Sequence, residues 1–258
     1  MDKKRNVCRV LLAICMSACV YIAGYLLATA LVGSIPALKE MHIMYINAMA
    51  MTLAAVAVSM TIRKEEYDIR MGKNPVVVLV AVVLLAYSGS VLFNVLLGSI
   101  PWQDMFSEDV TPNEAVFFGI PLWARMLGYE VVAPISEELV FRQVIYKRMR
   151  TITPVWVAVM VSALLFGIYH GNLVQGIYAF IMGTVLALVY EWSGSFVAPV
   201  LFHMVANHVS DMTYEFEELN NVLYSPYGAV VSAVVFASAG ILLFKNKNKC
   251  SKNGLHSE

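Results

Sequence analysis

Apolar runs of about twenty residues, broken by short polar interruptions, repeat along nearly the whole chain. A bilayer core of about 30 Å needs about 20 helical residues to cross, so each such run predicts a transmembrane helix. The first run extends to about Val32 and is too long for a signal-peptide core of about 7 to 15 residues. Met16-Ser-Ala-Cys19 faintly resembles a lipoprotein cleavage site, but the apolar run continues well past Cys19. Further spans are predicted at about Ile43 to Ile62, Val76 to Leu97, Val155 to Tyr169, Leu173 to Trp192, Phe196 to Met212 and Tyr227 to Phe244. Between the spans that open at Val76 and Val155, Glu114 to Arg150 stays helical in pattern for longer than one straight span needs. Pro134 sits inside it, which predicts a kink or break, since proline lacks the N–H donor and clashes with the preceding turn. The pattern predicts an all-α polytopic membrane protein of about eight spans, one membrane domain over 1–258, with its polar chemistry concentrated in 131–211.

Composition agrees: the 258 residues are 59% hydrophobic and 14% charged, against roughly 25% charged in soluble domains. The net charge of zero hides a strong segregation. Of the 18 basic residues, four each fall in the N-terminus, in Arg63 to Lys73, in Arg142 to Arg150 and in the tail from Lys245. Only Lys39 lies in an opposite loop, and Arg125 lies within a span. The loop Gly98 to Asn113 has no Lys or Arg and carries Asp104, Glu108 and Asp109, and a second acidic loop runs from Glu215 to Asn221. Basic loops stay on the cytoplasmic side, so both termini are expected to be cytoplasmic and the two acidic loops to face outward. Cys8, Cys15, Cys19 and Cys250 show no metal-ligand spacing and predict no disulfide framework. No internal repeat, low-complexity tract or soluble domain is visible. The expected partners are the lipid bilayer and a membrane-associated protein or peptide, with no nucleic acid among them.

Against this background Ala133-Pro-Ile-Ser-Glu-Glu-Leu-Val-Phe-Arg142 stands out, with two adjacent carboxylates and a guanidinium in a chain otherwise suited to lipid. An ionisable residue at membrane depth costs about 2.5 to 3.5 kcal/mol on insertion scales, so three within six positions need partners, water or a task. In a helix Glu138 and Arg142 share a face, with the acid on the favourable N-terminal side. Glu137 points about 100° away and is expected to lack a local counter-charge, as a base would. Glu137 and His170 lie almost symmetrically about the turn near Thr153, so antiparallel helices bring them to similar depth. His203 and Asn207, four apart on one face, add a third polar span, with Asp211 another four on. Helix-packing glue is the ordinary role of such residues. Three spans each offering a carboxylate or imidazole can satisfy one another only by converging.

Glu137-Glu-Leu-Val-Phe-Arg142 has the form E-E-x-x-x-R, Phe166-Gly-Ile-Tyr-His170 the form F-x-x-x-H, and His203-Met-Val-Ala-Asn207 the form H-x-x-x-N. In that order they resemble the CPBP (Abi) family of intramembrane proteases, which includes the type II CAAX prenyl endopeptidases. Gln175, Phe180 and Gly183 also fit that pattern. The resemblance covers about Val131 to Asp211. It implies a membrane endopeptidase with Glu137, His170, His203 and Asn207 as its functional set, and Glu138 with Arg142 in support.

Peptide hydrolysis needs activated water, a stabilised oxyanion and a proton for the leaving amine. Two versions stay open. In one, His170, His203 and Glu137 hold a divalent metal, zinc being the expected ion, with water in the open position. In the other, Glu137 deprotonates water with help from His170 while His203 and Asn207 stabilise the oxyanion. The H-E-x-x-H signature of soluble zinc proteases is absent. Two rival functions remain: a non-catalytic membrane partner, such as an immunity or regulatory protein, and an ion- or proton-coupled transporter. Transporters favour repeated halves, which this chain lacks.

Overall fold

The computed structural model describes residues 3–34, 43–60, 71, 74–101, 121–171 and 173–247. The loops expected at 63–73 and 98–113, and the basic tail, lie wholly or largely outside the described residues. Among those residues there is no β-strand. The helices are α1 (Lys3–Ser34), α2 (Ile43–Ser59), α3 (Pro75–Gly98), α4 (122–150), α5 (Val155–Tyr169), α6 (Leu173–Ser193), α7 (Val197–Glu215), α8 (Glu217–Leu223) and α9 (Pro226–Lys245). The protein is thus all-α, as the apolar periodicity requires.

Local chemistry accounts for the helix ends. Pro75 and Pro226 stand in the first turns of α3 and α9, where a missing N–H costs nothing. Ser225 caps α9 by accepting the Gly228 N–H at 3.0 Å. Gly171 and Gly194 end α5 and α6 in the left-handed region, each at φ +67°. Four described helices are long and apolar enough to cross a bilayer: α1, α3, α6 and α9. Of the remaining expected spans, α5 is apolar but has only 15 residues, and α2 has 17. Leu11, Leu12, Ile22, Leu26 and Leu27 of α1, and Val230, Val234 and Ile241 of α9, stand exposed. Water does not favour such surfaces, and lipid does. This is an integral membrane protein.

At Pro134 the helix is not broken. Residues Met126–Val132 and Leu139–Tyr146 are π-helical, and Ala133–Glu138 between them is α-helical. Val132 and Ala133 keep helical dihedrals, at φ −68°, ψ −46° and φ −61°, ψ −51°. The wide turns pair residues five apart, which relieves the carbonyl that the proline ring would otherwise strike.

The chain groups into two compact units, each made of two segments. The first spans Met1–Tyr67 and Trp102–Thr184, the second Asp68–Pro101 and Val185–Glu258. In the first, α1 packs along α2, and α4 meets both α2 and α5. In the second, α3 packs against α9 and α7. Gly89 of α3 makes room for the Phe236 ring, which would lie 2.9 Å from a Cβ there.

Candidate active site

Glu138 and Arg142 are both completely buried, and Arg142 Nε lies 3.1 Å from Glu138 Oε2, as the four-residue spacing requires. The contact has the distance of an ion pair but not the alignment of a hydrogen bond, so charge rather than proton sharing holds it. Two further contacts stabilise the guanidinium. Its Nη2 donates to the Gly183 carbonyl at 3.1 Å, and its carbon lies 4.7 Å from the centre of the Phe166 ring. Gly183 is buried at the point where α6 meets α5, and a Cβ there would lie 3.0 Å from Phe166 Cδ1 and 3.2 Å from Ala163 Cα. The missing side chain is what lets that carbonyl approach. Further along the hairpin, a Cβ on Gly167 would come within 2.7 Å of the Gly176 carbonyl, so α5 and α6 touch backbone to backbone. Ser162 Oγ ties α5 to α4 by donating to the Phe141 carbonyl at 2.8 Å.

Glu137 is buried, at 9% exposure. Its charge acts on Arg142, although Glu138 is that guanidinium's stronger carboxylate partner. It also acts on the hydroxyls of Tyr169 and Tyr21. The expectation that Glu137 lacks a local counter-charge therefore needs refining, because the one guanidinium lies in the field of both acids. Tyr21 of α1 meets Tyr169 edge-on, with centroids 5.2 Å apart.

His170 closes α5 as its C-cap, and its half-buried ring stands edge-on to Phe166 at 4.9 Å and to Tyr169 at 5.5 Å. Nδ1 lies 2.8 Å from the Phe166 carbonyl. A carbonyl only accepts, so Nδ1 carries the proton, and in the neutral ring the lone pair is on Nε2. Phe166 thus links the two motifs physically, with its ring against Arg142 and His170 and its carbonyl orienting the imidazole. Within the first unit, Glu137, Glu138, Arg142 and His170 are gathered around Phe166 and Tyr169.

His203 and Asn207 belong to the second unit, on α7. His203 is buried at 8% exposure, Asn207 is half-buried, Asp211 on the same stripe is buried, and His208 is exposed. Beside this stripe lies a polar seam from α3 that the motif pattern does not single out, formed by Ser90 and Asn94 with Ser210. Its sequence signal is the four-residue spacing of Ser90 and Asn94 within an apolar run. Tyr21 is equally silent in the sequence, since a tyrosine in an apolar span carries no signal of its own. Among the described residues no group of three His, Cys, Asp or Glu side chains forms a metal-holding cluster.

Comparison with known proteins agrees with the motif pattern. Residues 119–209 match the family described as Type II CAAX prenyl endopeptidase Rce1-like. The chain is 24% identical over 145 residues to the membrane-embedded CAAX protease MroQ of Staphylococcus aureus, covering 52% of this chain and 58% of that protein. It is 28% identical over 101 residues to the YdiL protein of Bacillus subtilis, covering 39% and 41%. It is 30% identical over 98 residues to the UPF0177 protein YbdI of Lactococcus lactis, covering 38% and 52%. The chain thus spans between about two fifths and three fifths of the length of these curated relatives. No solved structure matches.

Proposed function

We propose that this chain, whose residues 119–209 belong to the Rce1-like family of type II CAAX prenyl endopeptidases, is an intramembrane endopeptidase acting on a membrane-associated protein or peptide. The observation that carries the reading is the division of labour between two adjacent buried carboxylates. Glu138 lies 3.1 Å from Arg142 in a completely buried contact, while the field of Glu137 reaches the Tyr169 hydroxyl as well as Arg142. Glu137 is the carboxylate of the two whose field also reaches the Tyr169 hydroxyl, next to His170, and it is the one we assign as the base.

In the reaction, Glu137 takes a proton from water, with the Nε2 lone pair of His170 as a second acceptor at the same end of α5. The hydroxide formed adds to the carbonyl carbon of the scissile peptide, and its electrons move to the carbonyl oxygen. His203 and Asn207 donate to that oxyanion. The tetrahedral species collapses, the C–N bond breaks, and the proton held by Glu137 passes to the leaving amine. All four residues fall within the matched segment, 119–209. A bound divalent cation such as zinc would polarise the same water, with His170, His203 and Glu137 as its ligands. The name of the Staphylococcus aureus relative, a membrane-embedded CAAX protease, supports a substrate held at the membrane.

The deciding experiment is Glu137→Gln. The amide keeps size and hydrogen bonding but cannot accept a proton from water, so the protein should accumulate normally and cleave nothing. Full processing by a well-expressed Glu137→Gln protein would refute the peptidase reading and favour a non-catalytic scaffold.

A further inference from the structure

The polar seam between α3 and α7 lies outside the matched family segment on its α3 side and takes no part in the hydrolysis itself. Its hydrogen bonds interlock. Ser90 Oγ donates to the Ala206 carbonyl at 3.1 Å, and the Ser210 hydroxyl lies 3.1 Å from Ser90 Oγ. Asn94 Nδ2 donates to the Ser90 carbonyl at 2.8 Å and to Ser210 Oγ at 3.3 Å. With the Ser210 proton directed to Ser90, each of the four protons has an acceptor. Ser90 is fully buried and Ala206 nearly so.

On α7, residues three apart are separated by about 300°, or 60° the short way round. Ala206 therefore stands about 60° from His203, and Ser210 about 60° from Asn207 on the same side. The seam grips α7 along a line immediately beside its His203–Asn207 stripe. Interhelical hydrogen bonds in membrane bundles add little to stability on average, so their main effect here is geometric. They fix how far α7 is turned about its own axis. A turn of about 20° carries a side-chain tip at a radius of about 5.5 Å through about 2 Å. A misplacement of about 1 Å at a reacting centre is enough to cost about a hundredfold in rate.

We propose that Ser90 and Asn94 of α3, with Ser210, are positioning residues that set the rotation of α7 and so aim His203 and Asn207. The inference rests on the peptidase reading for its effect on rate, but not for its effect on geometry. Ser88 supplies the control. It is buried on the same helix, but its hydroxyl donates to the Leu84 carbonyl of α3 itself at 2.5 Å and does not reach α7.

The test uses the full chain in proteoliposomes. Wild type, Ser90→Ala, Ser210→Ala, the Ser90→Ala/Ser210→Ala double variant, Ser88→Ala and Asn207→Ala are compared on a fluorescence-quenched peptide ending in a farnesylated CAAX sequence. A parallel series in a cysteine-free background carries nitroxide labels at Leu84→Cys and Tyr214→Cys for pulsed EPR distance measurement. The expected result is a fall in kcat of about tenfold or more for Ser90→Ala with KM unchanged. The double variant should lose no more than the worse single, because the hydroxyls act as one unit. Ser88→Ala should match wild type. The label distance should shift or broaden by about 2 Å in Ser90→Ala and not in Ser88→Ala. An unchanged distance distribution in the double variant would overturn the inference whatever the activity. So would wild-type kcat in Ser90→Ala alongside an inactive Asn207→Ala. Cleavage by Asn207→Ala at the wild-type rate would count against the oxyanion role of Asn207, and none by wild type against the peptidase reading, and the EPR series would still decide the seam.

Discussion

Replacing Glu138 by Gln should destabilise the protein rather than abolish its chemistry, and the structure sets the size of the effect. The carboxylate and guanidinium are 3.1 Å apart and both completely buried. At an effective dielectric constant of about 20, that separation is worth about 5 kcal/mol of attraction. Removing one member of a buried pair typically costs about 3 to 5 kcal/mol. Glu138→Gln falls at the lower end, about 3 kcal/mol, because Arg142 keeps the Gly183 carbonyl and the Phe166 ring. That is about two orders of magnitude in the folded-to-unfolded ratio, or about 6 to 12 °C in Tm for a chain of this size. Thermal unfolding in detergent and membrane abundance, measured beside cleavage, are the assays. The expected outcome is a scarce, heat-labile protein that retains partial activity. Replacing the pair together, as Glu138→Leu with Arg142→Met, should recover most of the lost Tm, since no charge is then stranded. A Glu138→Gln protein with wild-type Tm and abundance would refute the argument, as would a double variant no more stable than the single.

Three further outcomes are expected. Gly167→Ala should destabilise the α5–α6 hairpin by about 1 to 3 kcal/mol, because its Cβ would come within 2.7 Å of a backbone carbonyl that cannot swing away; an unchanged Tm would count against this. A cysteine introduced at Ser107, in the acidic loop that carries no Lys or Arg, should be labelled by an impermeant maleimide from outside only, and labelling from the cytoplasmic side alone would overturn the topology. Elemental analysis of the purified protein, alongside its cleavage activity, decides the role of metal. Full activity with less than about a tenth of an equivalent of any transition metal eliminates the version in which His170 and His203 are ligands, whereas loss of both metal and activity in His170→Ala would restore it.

Much of this was legible in the sequence because period and spacing are themselves structural statements. Each apolar run coincides with a helix, and the four-residue interval between Glu138 and Arg142 becomes a buried contact. Tyr169, whose ring stands edge-on to the imidazole of His170, also lies in the field of Glu137. What stayed hidden depends on partners without a chemical label in the sequence. The Gly183 carbonyl that receives Arg142 is a backbone group, and nothing in the letter G marks its direction. Tyr21 meets Tyr169 across a long stretch of intervening chain. The kink or break expected at Pro134 followed from the proline alone, whereas π-helical turns on either side keep the helix continuous there.

Those wide turns also bear on how related chains should be compared. A turn paired five residues apart holds one residue more than an α-turn, so a homologue lacking that residue can close to an α-turn without rotating the helix on either side. Length differences among relatives are normally assigned to loops. In this chain the stretch Leu139–Tyr146, which carries the arginine, is instead a place where a single-residue gap is structurally silent for its flanks. An alignment that pushes such a gap into the turn near Thr153 would put every residue from Val144 to Thr151 one position out of register.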